Sequence, residues 1–349
     1  MVLEGEIMIS FESFKGIPRE YESFLIEKYD SFITTCRYIE VYYQDYDIHY
    51  FIVKDKGKLL ELLVYGTREK AAKCFNSLVY IDQDIISEFV KNVFNRHPLI
   101  TKIEIVASYK EYDLNKSFLS FKSDDQILKL PSSLEDYLTN LGSQTRKHIK
   151  QRKERFLKDC PNAKFVTKYG LEIEESLIDK IILLNCSRMK LKGTISGIDN
   201  ISKDNIYKYS IFYGCVAYIE IDGEVVAGCI STVLNKKVFA HVIGHNNNYS
   251  KFNLGEMCFM YLIETSIQKG ISSFHFLWGE TEYKRRLLAK PHVLYFYYVY
   301  RSFSLNFLLS KLRFTITKTK TNIEHSNFTK PLRDAIKSNR IKNMKVELK

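Results

Sequence analysis

Between Cys215 and Leu277 the order of apolar runs and turn residues leaves few folds open. Cys215 to Ile221 and Glu224 to Leu234 are apolar, β-branched runs flanking Asp222-Gly223, a dipeptide suited to the positive φ angles of a two-residue hairpin. Asn235-Lys236 separates them from a third run, Lys237 to Ile243. A polar loop, His245 to Leu254, leads through Gly255 into a helical stretch, Glu256 to Lys269. Gly270 ends that helix, and Ile271 to Leu277 reads as another strand. Three antiparallel strands, a glycine-led helix and one more strand predict an α/β layer with a helix N-terminus beside the sheet.

The rest of the chain reads as α/β too. Tyr38 to Tyr43 and Tyr50 to Val53 have strand composition, and Leu59 to Tyr65 follows the turn Lys56-Gly57-Lys58. Asp84 opens a helix with Ile85, Ile86, Phe89, Val90 and Val93 on one face, and Ile103 to Ala107 reads as a buried strand. A junction is expected near Asp124 to Pro131. Ser132 and Glu135 then stand at capping-box spacing. The helix they start breaks at Gly142 and resumes at Ser143, carrying seven Lys/Arg between Arg146 and Lys158. A strand (Ala163 to Lys168), a helix (Glu172 to Met189), a short basic helix (Tyr283 to Leu288) and a strand (Val293 to Tyr300) complete the order. With 349 residues, this organisation suggests units at 1–125 and 126–312 and a basic tail at 313–349.

A net charge of +11 favours anionic partners: nucleic acid, a membrane surface or phosphate-bearing small molecules. The basic helix would suit nucleic acid, but Phe156 is its only aromatic and no nucleic-acid motif accompanies it, so a solvated or substrate-steering face is the better reading. Seven scattered cysteines without a CxxC pair speak against a disulfide framework or zinc site and fit a reducing compartment. Glu4, Glu6 and Glu12 do not resemble a secretory leader, and Arg301 interrupts the most apolar stretch, Val293 to Leu312. A soluble cytoplasmic protein is expected.

The segment YSKFNLGEMCFMYLIETSIQKGISSFHFLWGETEYKRRL (Tyr249 to Leu287) resembles the C-terminal signature of the CelD/BcsL-type GNAT acyltransferases, relatives of the Fem-type aminoacyltransferases. The matching positions are Gly255, Gly270, Gly279, Tyr283 and Lys284. SQTRKHIKQRKERF resembles the family's arginine-rich helix, and CSRMKLKG (Cys186 to Gly193) its Arg-containing helix end. One departure is His275-Phe276-Leu277-Trp278, where the family more often has an acidic residue. The resemblance covers roughly residues 130 to 300. It implies two GNAT-like units in tandem, the first degenerate, each a mixed, mostly antiparallel sheet flanked by helices. It also implies a coenzyme A thioester as acyl donor and a small-molecule amine as acceptor, bound between the units. A nucleotide-linked amino sugar, such as a dTDP-3-amino-3,6-dideoxyhexose of surface polysaccharide, is the acceptor this favours; a Fem-like aminoacyl-tRNA-dependent enzyme and a non-catalytic basic binding protein are the alternatives.

On that reading the donor's diphosphate sits at the helix start formed by Asn253, Leu254, Gly255 and Glu256, where backbone N–H groups lack intrahelical acceptors. The strand before it splays, so that N–H groups near Val242, Ile243 and Gly244 polarise the thioester carbonyl. Glu280 is a base or amine ligand, or else a helix cap. Tyr283 protonates the leaving thiolate or packs in the core. Lys284 holds a phosphate or belongs to a solvated basic face with Arg285 and Arg286. His241 and His245, four apart, fall on one strand face by period-two spacing, and His245 suits a base. Arg188 can clamp an acceptor phosphate, with Trp278 nearby as a binding surface. No third ligand accompanies the histidines, so no metal is expected.

Overall fold

The computed structural model describes residues 9–114, 118–193, 196, 198, 200–278 and 281–301. Glu280, Gly279 and the expected basic tail lie outside the described residues. In chain order the elements begin with β1 (Ile9–Lys15), α1 (Glu22–Tyr29), α2 (Cys36–Tyr42), β2 (Asp47–Asp55), β3 (Lys58–Arg68), β4 (Ala71–Cys74), α3 (Gln83–Arg96), β5 (Lys102–Ser108) and β6 (Phe118–Lys129). There follow α4 (Leu134–Asn140), α5 (Ser143–Asp159), β7 (Ala163–Tyr169), α6 (Glu175–Leu191), α7 (Asn200–Tyr213), β8 (Gly214–Ile221), β9 (Glu224–Leu234) and β10 (Lys237–His245). The last are α8 (Leu254–Gln268), β11 (Ser273–Trp278), α9 (Glu282–Arg286) and β12 (Lys290–Tyr300).

All twelve described strands join one sheet, in the order β1-β2-β3-β4-β5-β12-β6-β11-β10-β9-β8-β7. Only β4/β5 and β10/β11 pair in parallel. The last strand, β12, inserts between β5 and β6, pairing antiparallel with both. The expected junction near Asp124 is therefore largely strand: residue 125 lies inside β6, and the halves share a sheet instead of meeting at a linker. A large core packs α1 to α3 on the first half, while α8 and the pair α6/α7 cover opposite faces of the second.

Two local expectations need correction, and one helix has no counterpart among them. Tyr38 to Tyr43 is not a strand. Thr35 accepts a hydrogen bond from the Tyr38 N–H and caps α2, and Tyr38 stacks on Tyr42 one turn on at 4.3 Å. The cap of α4 is Ser133, not Ser132; its hydroxyl takes the Asp136 N–H. Helix α7 went unread because its buried Tyr209 packs on Phe32 of the first half, a contact no local pattern announces.

Candidate active site at a parted pair of strands

Strand β10 pairs with β9 along its whole length, but with β11 only from Lys237–Ser273 to Phe239–His275. Past those residues the two parallel strands separate, leaving the second half of β10 with an open edge. Alternate N–H and C=O groups of Val242 to His245 face that opening, because only one side of the strand is satisfied by β9.

Each lip of the opening is held by its own device. At β10 the backbone comes so close to α6 that a Cβ on Gly244 would lie 2.4 Å from the Ile181 carbonyl oxygen and 2.9 Å from the Asn185 nitrogen. Asn185 then donates to the Ile243 carbonyl at 2.8 Å and accepts from Ser196 at 3.1 Å. At β11 the Lys284 ammonium donates to the carbonyls of Phe276 (3.1 Å), Leu277 (3.4 Å) and Trp278 (2.8 Å). Lys284 is buried, so it is not part of a solvated basic face. Burial lowers its pKa to about 8, partly opposed by the nearby Asp125 carboxylate.

Asp125 is a residue the sequence reading missed. It is fully buried on β6, accepts from His275 Nδ1 at 2.7 Å and from the Tyr109 hydroxyl at 2.8 Å. The carboxylate absent from the strand before Gly279 is thus supplied by the neighbouring strand. Only the pairing of β6 with β11, 150 positions apart in sequence, could have revealed it.

A β-bulge changes the geometry of the two histidines. Ala240 pairs with Ser231 and Val242 with Ile230, so His241 is an extra residue with no partner across the ladder. The insertion reverses the facing of everything after it. Val238 and Ala240 pack in the α8-side core, whereas Val242 packs against Ile178 and Ile181 of α6. His241 therefore faces Phe32, 4.7 Å away between ring centres, and shares a 2.7 Å hydrogen bond with Thr232. His245 faces α8. The expectation that both share one face fails for this reason. His241 keeps more than a third of its surface in water, and the protein packed around the rest of it lowers its pKa.

On the α8 face, side chains from four elements converge. A Cβ on Gly255 would stand 3.1 Å from His245 Nδ1, so the ring lies directly against the first turn of α8. That Nδ1 is buried without a hydrogen-bond partner, as is Arg188 Nε. Among the described residues Arg188 has no ion-pair partner. Burial lowers the His245 pKa, with the Arg188 and Lys192 charges adding to the effect, so the imidazole is neutral at pH 7. Tyr283 stacks on Phe259 at 5.8 Å, and burial raises its pKa, keeping the phenol protonated.

The start of α8 itself is buried through Leu254, Gly255 and Glu256, after Asn253 in the left-handed conformation (φ 53°). The Glu256 carboxylate turns away from the backbone toward Arg152 (3.0 Å) and Arg286 (3.3 Å) and takes the Asn253 amide. Trp278 ends β11 half-exposed, tilted against Phe296. Sequence reasoning thus named Arg188, Gly244, His245, Gly255 and Tyr283 separately, and the fold brings them together; His241 stands on the other face. Among the described residues no three His, Cys, Asp or Glu side chains gather as a metal site, and no helix is long and apolar enough to cross a membrane.

Parted parallel strands beside a glycine-bearing helix start coincide with a family likeness. A family model described as an acetyltransferase (GNAT) domain matches residues 213–285, from the end of α7 into α9. Over that span the chain is similar to a GNAT acetyltransferase domain. It is an N-acyltransferase, of a domain type that takes an acyl-CoA and a small-molecule acceptor. No curated protein matches the sequence. Among solved structures, FemX aligns over 86% of this chain and 99% of its own, with a TM-score of 0.58 at 9% identity. A tandem GNAT protein from the clavulanic acid biosynthesis pathway aligns over 85% and 100% (TM-score 0.51, 8% identity). A conserved protein from Bacteroides thetaiotaomicron aligns over 84% and 100% (TM-score 0.51, 13% identity). At such identities the likeness is one of fold: a mixed α/β fold of two GNAT-like units in tandem.

Proposed function

We propose that this GNAT domain, of CelD/BcsL type, transfers an acyl group from coenzyme A to the amine of a nucleotide-linked amino sugar, as in the assembly of a surface polysaccharide. The observation that carries the reading is the parting of β10 from β11 beside Gly255, whose missing side chain leaves His245 room against the helix start. Residues 126–312 form the donor-binding unit, and residues 1–125 the degenerate one. The donor's diphosphate rests on the N–H groups of residues 254–256, where a helix start favours anions.

The reaction follows from the groups around the opening. The amine nitrogen attacks the thioester carbon as the C–S bond breaks. Within Val242 to Gly244, the N–H of Ile243, which β9 leaves facing the opening, stabilises the negative charge on the carbonyl oxygen. Neutral His245 accepts the amine proton. Tyr283, held protonated, returns a proton to the departing thiolate. Arg188, which has no carboxylate partner among the described residues, binds an anionic group of a substrate through its guanidinium. The acceptor enters between the units on the His241 face, past aromatic walls at Phe32 and Trp278, and its amine reaches through the opening to His245.

The test is release of free thiol from several acyl-CoAs in the presence of a panel of nucleotide-linked amino sugars. Acceptor-dependent release supports the reading; silence across the panel, with no thermal shift from CoA, removes it. A second reading, aminoacyl transfer from a tRNA, is favoured by the exposed Lys/Arg of α5. Tight tRNA binding that weakens steeply with salt would select it.

A further inference from the structure

A second candidate site lies on the outer face of α8, reaching at one end the Asn253 and Glu256 of the helix start. There α4, α5 and α8 enclose a cavity of about 350 Å³, at the small end of the roughly 300–1,000 Å³ typical of ligand pockets. Its walls are Leu138, Ile149, Phe252, Met257, Met260 and Tyr261. Along α8 it runs from Asn253 to Glu264, about 16 Å at the helical rise of about 1.5 Å per residue. Two of the wall residues are methionines, side chains that adapt to irregular apolar guests. The Tyr261 hydroxyl is satisfied by the Phe165 carbonyl at 3.1 Å, so the slot presents little that a polar guest could bond.

The mouth is basic. Arg146, Lys150 and Lys153 project from α5 along the slot. The slot's two carboxylates are already engaged: Glu256 with Arg152 at 3.0 Å, and Glu264 with Lys153 at 3.8 Å. Arg146 donates to the Leu138 carbonyl and has no carboxylate partner among the described residues. The nearest carboxylate to Lys150 is Glu154, 3.9 Å away on the surface. An extended apolar slot whose lining cations outnumber its carboxylates matches one chemistry.

We infer that this slot binds a single alkyl chain ending in an anionic group, a phosphate or a carboxylate, as a dissolved monomer. The probe is decyl phosphate below its micellar concentration, titrated calorimetrically into the full chain. One molecule is expected to bind per chain, at least 10-fold tighter than decyl maltoside and with no counterpart for decyltrimethylammonium. Met260→Trp, which fills the slot, and the surface double variant Arg146→Glu/Lys150→Glu should each weaken binding at least 10-fold. The double variant is expected to keep the wild-type Tm, which separates loss of the site from loss of the fold. Equal affinity for the cationic amphiphile, or binding untouched by both variants, would overturn the inference. So would binding only to phosphatidylglycerol vesicles, which would make α5 a membrane-surface helix, or only to tRNA, which would make it a nucleic-acid contact. The wild-type thiol-release activity is read in parallel, so failure here leaves the acyl-transfer reading standing.

Discussion

Substituting alanine at Gly244 and at Gly255 should separate stability from chemistry. At Gly244 the new Cβ would sit 2.4 Å from the Ile181 carbonyl oxygen, against an ordinary contact of 3.4 Å or more. Because the obstacle is helix backbone, α6 must retreat by the difference, about 1 Å. Overpacking of this kind costs about 1–3 kcal/mol, and weakening the Asn185–Ile243 hydrogen bond adds about 1 kcal/mol. At about 2–4 °C per kcal/mol, Tm should fall by roughly 4–16 °C, and activity should drop as Arg188 moves with α6. At Gly255 the Cβ would meet only the His245 ring, at 3.1 Å, and a ring can turn aside. Alanine also favours a helix over glycine by about 1 kcal/mol, so stability should stay within about 1 kcal/mol of wild type. Turnover should nevertheless fall at least about 10-fold if His245 is the base. Differential scanning fluorimetry and thiol release read the two effects. A Gly244→Ala protein melting within a degree of wild type, or a Gly255→Ala protein with normal turnover, would refute the geometry or the role respectively.

Two further outcomes follow from ionisation. The Arg188 charge helps depress the His245 pKa, so Arg188→Met should move the acid limb of the kcat/KM profile to higher pH, and His245→Gln should remove that limb; an unmoved limb in both would exclude His245 as the base. Lys284 has a folded pKa of about 8 against about 10.5 for a free lysine, so between those values the unfolded chain binds more protons and stability rises with pH. Urea unfolding of wild type and Lys284→Met should therefore diverge in wild type's favour from about pH 8 toward pH 10, and a pH-independent difference would contradict the burial of that ammonium.

Much of this architecture was legible because it is local. Asp222 and Gly223 adopt the paired positive φ angles (51° and 82°) that their dipeptide predicted, and Gly270 ends α8 at φ 71°. The break at Gly142 and the restart at Ser143 likewise follow from residue chemistry. What escaped depends on distant partners. Strand β6 read as a junction because its pairing strands, β11 and β12, lie more than a hundred residues away. The bulge at His241 is set by register against β9, which no single-strand pattern encodes, and it separated two histidines that strict alternation placed together. Asp125 was invisible as a partner of His275 for the same reason.

The account rests on the opening between β10 and β11 as the place where the acyl donor binds. A crystal structure with a non-hydrolysable acyl-CoA analogue tests it directly. The expected result is a sulfur between Val242–His245 and Phe276–Trp278, with the diphosphate on the N–H groups of residues 254–256. An analogue bound elsewhere, or an opening filled by protein side chains with the analogue excluded, would contradict it.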